Sequence, residues 1–295
     1  MLAGLSTKNK GLIFGMLGVA GFSLTLPMTR LAVVNLDPAQ VIIWRGFLAS
    51  ILAILMLVIR RPPIPPRSVW KAIFLAGFGT LFGFSTFMTL GMTTVSASHG
   101  AVVIGLLPLA TAIFAVLIGR EKPSLGFWIM SAVGTIITLT FVLRQAEGGM
   151  AVGHIFLLLA VVFASMGYSF GAQASKVIGG WQTTCWSLAV AMPFLLVAMA
   201  CVPLITPAAG AVSLSALVYL ALVSQFAAFF AWYRGLAMAG VARVSQVQLL
   251  QLFMTVTGAY FILNEKFDPE VILFGSLVVV VVWMGTKMRI ESTQV

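Results

Sequence analysis

Ten apolar runs, each long enough to cross a lipid bilayer, follow one another along this chain with little between them. They cover about 11 to 33, 38 to 59, 70 to 92, 97 to 118, 125 to 143, 152 to 175, 181 to 204, 214 to 236, 241 to 263 and 269 to 286. At ~20 to 22 residues per crossing, ten spans use roughly 200 to 220 of the 295 residues and leave loops of about 6 to 9, too short for a soluble domain. The fold expected is all-α and integral to the membrane. Only 8% of the residues are charged, against about 25% in soluble domains. The first run follows Lys8 and Lys10 as a signal peptide would. It continues past Pro27 to Arg30 without a small-residue cleavage pattern, so it reads as a retained helix.

The placement of charge orients the spans. Lys8, Lys10, Arg60, Arg61, Arg67, Lys71, Arg120, Lys122, Lys176, Arg234, Arg243, Lys287 and Arg289 fall on the side of the chain ends, and only Arg30, Arg144 and Lys266 on the other. Cytoplasmic loops hold the basic excess, so both termini are expected on the cytoplasmic side of the membrane. The net charge of +10 marks topology rather than nucleic-acid binding, for which no extended basic patch exists. Cys185 and Cys201 lie in one run, ~24 Å apart along a helix, and cannot pair within it.

The chain also repeats itself. Gly91 to Lys122 can be laid without a gap on Gly235 to Lys266, matching Gly91 with Gly235, Thr111 with Thr255, Glu121 with Glu265 and Lys122 with Lys266. A separation of 142 places Gln40 on Gln182 and Trp44 on Trp186. Five spans per half is an odd number, so the second half enters the membrane upside down. The expected units are residues 10–144 and 152–287, two inverted five-helix repeats. Such repeats recur in secondary transporters, with the substrate site near the midplane between the halves.

The text SASHGAVVIGLLPLATAIFAVLIGREKPSLGFWIMSAVGTIITL in the first half and AWYRGLAMAGVARVSQVQLLQLFMTVTGAYFILNEKF in the second resembles the drug/metabolite transporter superfamily, in its ten-helix branch of EamA-type carriers. The length, the polar ninth helix and the lack of a membrane carboxylate look most like bacterial exporters of amino acids, including aromatic ones. The family often has Pro in the ninth helix where this chain has Leu252, opposite Pro108 in the fourth. An interior Pro removes a backbone bond and favours a kink, so a kink is expected in the fourth helix only.

Polar side chains inside a span face a bundle interior or a wet cavity. The ninth helix is richest in them, with Ser245, Gln246, Gln248, Gln251, Thr255 and Thr257. Gln248, Gln251 and Thr255 are spaced i, i+3, i+7 and form one stripe. An amide donates and accepts, which suits the ammonium and carboxylate of a zwitterion; bonding between helices is the other use of such residues. Gly77, Gly79, Gly83 and Ser85 make the third helix narrow, while Phe226, Phe230, Trp232 and Tyr233 make its repeat mate bulky. Aromatic walls suit an apolar substrate body, although Trp232 and Tyr233 near a span end also read as interface anchors. Tyr168, Ser169 and Gln173 in the sixth helix and Ser23 and Thr25 in the first read as cavity lining.

Arg45 lies seven residues beyond Pro38, ~10 Å down its helix, and reads as structural, snorkelling outward or meeting helix-end carbonyls. His99 begins the fourth helix and is a candidate for substrate contact or proton coupling. His154 reads as interfacial. Glu121 and Glu265 read as solvated helix-end pairs with the Lys that follows each. Paired mid-span carboxylates and HExxH are missing and the chain has only two His, so no enzyme, metal or cofactor is expected. The function expected is alternating-access export of amino acids or similar small metabolites. The alternatives are another metabolite or drug carried on the same fold, or a channel. The partners expected are a small-molecule substrate and the lipid bilayer, with the chain a monomer or weak homodimer.

Overall fold

A computed structural model describes residues 5–119, 122–145, 152–205, 209–266, 268–287 and 290–291. The ten expected helices are present: α1 (Thr7–Ala32), α2 (Pro38–Arg60), α3 (Arg67–Gly91), α4 (Ala97–Ile118), α5 (Leu125–Gln145), α6 (Val152–Ile178), α7 (Gly180–Met199), α8 (Gly210–Ala239), α9 (Arg243–Leu263) and α10 (Pro269–Lys287). Eight are long and apolar enough by themselves to cross a membrane, while α5 and α10 contribute the apolar stretches Trp128–Thr138 and Pro269–Val281. The protein is a multi-pass membrane protein. Strand pairing among the described residues is limited to β1 (Lys122–Pro123) against β2 (Ile290–Glu291).

Helix ends follow local chemistry. At α2, the Asp37 carboxylate accepts the Ala39 N–H at 2.8 Å, the Gln40 side chain accepts the Asp37 N–H at 2.9 Å, and Pro38 fills the first position. That is a capping box with the N1 proline, where its missing N–H costs nothing. Gly240, with φ of 89°, ends α8 in a conformation that an L side chain resists.

The helices pack in pairs that an exchange of the two halves leaves unchanged. α1 lies along α8 as α6 lies along α3, α9 lies against α1 as α4 lies against α6, α2 pairs with α7, and α5 pairs with α10. Two of these seams are zipped by glycine. A Cβ on Gly235 of α8 would stand 2.8 Å from the Gly11 carbonyl and the Gly15 nitrogen of α1. A Cβ on Gly79 of α3 would stand 2.6 Å from the Phe163 carbonyl and 2.8 Å from Gly167 of α6. Lipid tails are as apolar as leucine, so association in a bilayer depends on such close backbone approach. The repeat mates α3 and α8 each carry a π-helical stretch as well, Phe78–Phe84 in α3 and Leu220–Ala227 in α8, starting 142 residues apart.

The kink expected in α4 alone occurs in both halves. α4 breaks at Gly105–Leu106, just before Pro108. α9, with Leu252 in place of Pro, passes through a 3₁₀ turn at Gln246–Gln248. Such mid-helix 3₁₀ turns mark hinges or strain, so the bend in α9 has a source other than proline. α1 breaks too, at Leu24, while its mate α6 runs unbroken over 27 residues.

Replacing Gly79 by Ala is expected to destabilise the fold by ~1 to 3 kcal/mol, because the added methyl meets backbone that cannot step aside. Gly134→Ala meets nothing closer than 3.4 Å and is expected to change stability by less than ~0.5 kcal/mol. Thermal unfolding of the two purified variants in detergent checks the contrast.

Candidate functional site

Three helix breaks meet in the middle of the bundle, and two of them come from proline. Pro27 has no N–H to give to the carbonyl four residues back, which belongs to Ser23, and Pro108 likewise frees the carbonyl of Ile104. A carbonyl without a partner is costly in a membrane interior. The Ser23 carbonyl is taken by the Thr255 hydroxyl of α9, which donates to it at 2.6 Å. Ile104 faces a small cavity lined also by Leu26, Gly105, Gln248, Gln251 and Thr255. Its volume of ≈ 10 Å³ is room for about one water.

The expected α9 stripe is therefore brought together: Gln248, Gln251 and Thr255 are 3%, 6% and 1% exposed and line one cavity. Both polar atoms of the Gln248 amide, and Oε1 of Gln251, have no hydrogen-bond partner among the described residues. Of Gln246 only the backbone is described. Ser23 is buried at the rim, its own hydroxyl turned back to the Ala20 carbonyl at 2.8 Å.

Beside this cavity sits an aromatic cluster. Phe22 of α1 meets Phe229 at 4.9 Å and Trp232 at 6.0 Å between ring centroids, Tyr168 meets Trp232 at 5.4 Å, and Phe229 meets Tyr233 at 5.2 Å. Trp232 and Tyr233 are thus not interface anchors. They are fully buried because α8 turns them inward against α1 and α6. Phe230 leaves this group and pairs with Phe226 at 4.6 Å, on the wall of a cleft of ≈ 640 Å³ at the end of the bundle that holds the chain termini. Arg60, Trp181 and Arg234 line that cleft too.

A second polar cluster lies across the α1 break. The Thr25 and Ser224 hydroxyls are 2.8 Å apart, and Ser85 donates to Gln225 Oε1 at 3.2 Å. Arg45 neither snorkels nor meets helix-end carbonyls. It is 1% exposed, and its Nη2 donates to Gln225 Oε1 at 3.2 Å and to Ser224 Oγ at 3.4 Å. Ser85 belongs to this cluster and not to the glutamine cavity. Gly83 lines neither, because the Phe163 ring covers it.

At the end away from the termini the halves are tied by charge. The Glu265 carboxylate accepts the Ala97 N–H at 2.8 Å and the Ser98 N–H at 3.0 Å. It is a cap on the start of α4, where helix N–H groups lack partners and the dipole favours an anion, and not a solvated pair with Lys266. His99 Nε2 stands 3.2 Å from Asp268 Oδ2 in the same closure. Glu121 lies outside the described residues. His154 is buried, and Gln173 is exposed rather than lining a cavity.

The EamA-like transporter family matches this chain twice, over residues 9–144 and 151–286. The chain belongs to that family. The uncharacterized transporter YdeK of Bacillus subtilis (strain 168) is 38% identical over 263 residues, which cover 89% of this chain and 92% of the relative. A crystal structure with 15% identity superposes with a TM-score of 0.67 over 96% of this chain and 99% of its own, which shows a shared fold. As a member of an EamA-like transporter family the chain is a membrane transporter and not an enzyme.

Two residues that shape the site have only faint signals in the sequence. Pro27 carried the same signal as Pro108, a proline within an apolar run, and it accounts for the acceptor that holds Thr255. Gln225 carried a weaker one, a lone amide among apolar neighbours. Replacing Glu265 by Ala is expected to lower stability by ~1 kcal/mol through loss of the α4 cap. It is also expected to speed hydrogen exchange at the Ala97 and Ser98 amides, measured by mass spectrometry of the purified protein.

Proposed function

We propose that this transporter exports amino acids, aromatic and large apolar ones among them, or closely similar metabolites, by alternating access across a bacterial inner membrane. One observation carries the reading. α4 and α9, repeat mates, both break where they face each other, and the cavity between them is walled by two buried amides, with both polar atoms of Gln248 and Oε1 of Gln251 unmatched among the described residues. Leaving a buried polar group unmade costs ~1 to 3 kcal/mol. A solute that offers both donors and acceptors satisfies Gln248 and Gln251, and breaks of this kind at the repeat interface hold substrate in other inverted-repeat carriers.

The aromatic cluster of Phe22, Tyr168, Phe229, Trp232 and Tyr233 supplies an apolar wall next to those amides. The tied end and the cleft at the opposite end support a carrier caught open toward one side, in preference to a channel with a continuous path. With the basic loops in the cytoplasm, that open side takes substrate from within the cell. The substrate's own gradient supplies the driving force, and one chain, alone or in a weak homodimer, holds a complete site.

Purified protein in proteoliposomes is expected to show saturable counterflow of radiolabelled phenylalanine, leucine or another amino acid. Gln248→Leu combined with Gln251→Leu should cut that flux tenfold or more while leaving the unfolding temperature unchanged or raised. Absence of flux for every amino acid would end the amino-acid reading. Orientation is checked separately: a fluorescent protein fused after Val295 should light up in cells, and alkaline phosphatase fused after Asn35 should be active.

A further inference from the structure

Arg45 places a full positive charge inside the membrane with no acid beside it. Its Nε and Nη1 have no acceptor among the described residues, and its Nη2 is met only by the amide of Gln225 and the hydroxyl of Ser224. None of the chain's seven Asp and Glu residues falls in the interior of a span. The neighbours are dipoles, and they are already tied to one another through Thr25 and Ser85. Thr89, one turn beyond Ser85 on the same face of α3, is 0% exposed with its hydroxyl also unmatched. A buried guanidinium held by dipoles alone is costly in hydrocarbon, and intramembrane charges mark the path of a substrate or its counterion.

We propose that Arg45, oriented by Gln225, is the subsite for a carboxylate on the transported molecule. Guanidinium to carboxylate bonds are charge-assisted and balance the ion that the fold leaves unbalanced. The geometry gives the rest of the molecule a direction. Phe229 is four residues beyond Gln225 and so one turn along the same face of α8. Gln225, Phe229, Tyr233 and Thr80 line a common cavity of ≈ 10 Å³. A carboxylate at Arg45 points an apolar body at the aromatic cluster. That space is too small for such a molecule, so the subsite fills as the halves part.

The proposal rests on the carrier reading, and its test separates the two. Thermal unfolding of the full chain in detergent is measured against 3-phenylpropionate, which keeps the carboxylate and lacks the ammonium, against phenethylamine, which does the reverse, and against phenylalanine. A bound ligand raises stability with its occupancy. The two acids are expected to raise the unfolding temperature and phenethylamine is not. Arg45→Gln should raise the half-saturating concentration of 3-phenylpropionate tenfold or more, and Gln225→Leu should raise it several-fold. Should Arg45→Gln fail to fold, the wild-type probe series and Gln225→Leu decide alone. A phenethylamine response equal to that of the acids, no response to either acid, or an unchanged midpoint in Arg45→Gln overturns the subsite. Counterflow of an amino acid alongside any of those results leaves the carrier reading standing, whereas intact acid binding without flux of any solute strikes the carrier reading and spares the subsite.

Discussion

Inside a bilayer every backbone carbonyl and N–H must find its partner within the protein, and the middle of this molecule is organised by the places where that rule is broken and repaired. Pro27 and Pro108 each remove one bond from a membrane helix. The first freed carbonyl, on Ser23, is satisfied from a different helix by Thr255 at 2.6 Å, which pins α1 to α9 at the level of the cavity. The second belongs to Ile104, a residue that lines that cavity.

The repair is uneven, and the unevenness separates scaffold from site. The α1–α8 and α3–α6 seams are closed by glycines whose backbones touch, so a single methyl group is enough to disturb them. Side-chain hydroxyls reinforce neighbouring seams: Ser50 donates to the Leu188 carbonyl at 3.0 Å and Ser187 to the Ile73 carbonyl at 2.9 Å. By contrast, the amides at the cavity are buried with atoms to spare. Gln248 keeps both amide atoms, Gln251 its Oε1 and Arg45 its Nε and Nη1 without a partner among the described residues.

The spans, the inversion of the halves and the α9 stripe could be read from the residues because each rests on a property of the chain itself: apolar length, an odd helix count, and a 3.6-residue period in polar positions. What could not be read is which way an apolar helix turns. α8 is hydrophobic around most of its circumference, so nothing in its pattern distinguishes Trp232, which is buried against Phe22, from Phe230, which lines the cleft. Arg45 departs from expectation for a related reason: the acceptors that hold it, Ser224 and Gln225, come from a helix about 180 residues away in sequence. Glu265 was read next to Lys266, its neighbour in sequence, when its partners are the amides that open α4.

The difference in strength between these contacts bears on how such a carrier can move. The tied end is closed by a carboxylate cap, a His99–Asp268 contact and the exposed Arg144–Glu270 pair at 2.9 Å. Interactions of that kind contribute ~1 kcal/mol each, and less where water screens them. The glycine seams cannot part so cheaply, since separating them exposes backbone and forfeits packing along whole helices. Motion between two open states therefore runs through the capped end and the three helix breaks, while the paired helices move as units. The breaks are also where the unmatched side chains lie, so a ligand that satisfies them acts at the hinges themselves, and its binding energy is available there to shift the balance between states.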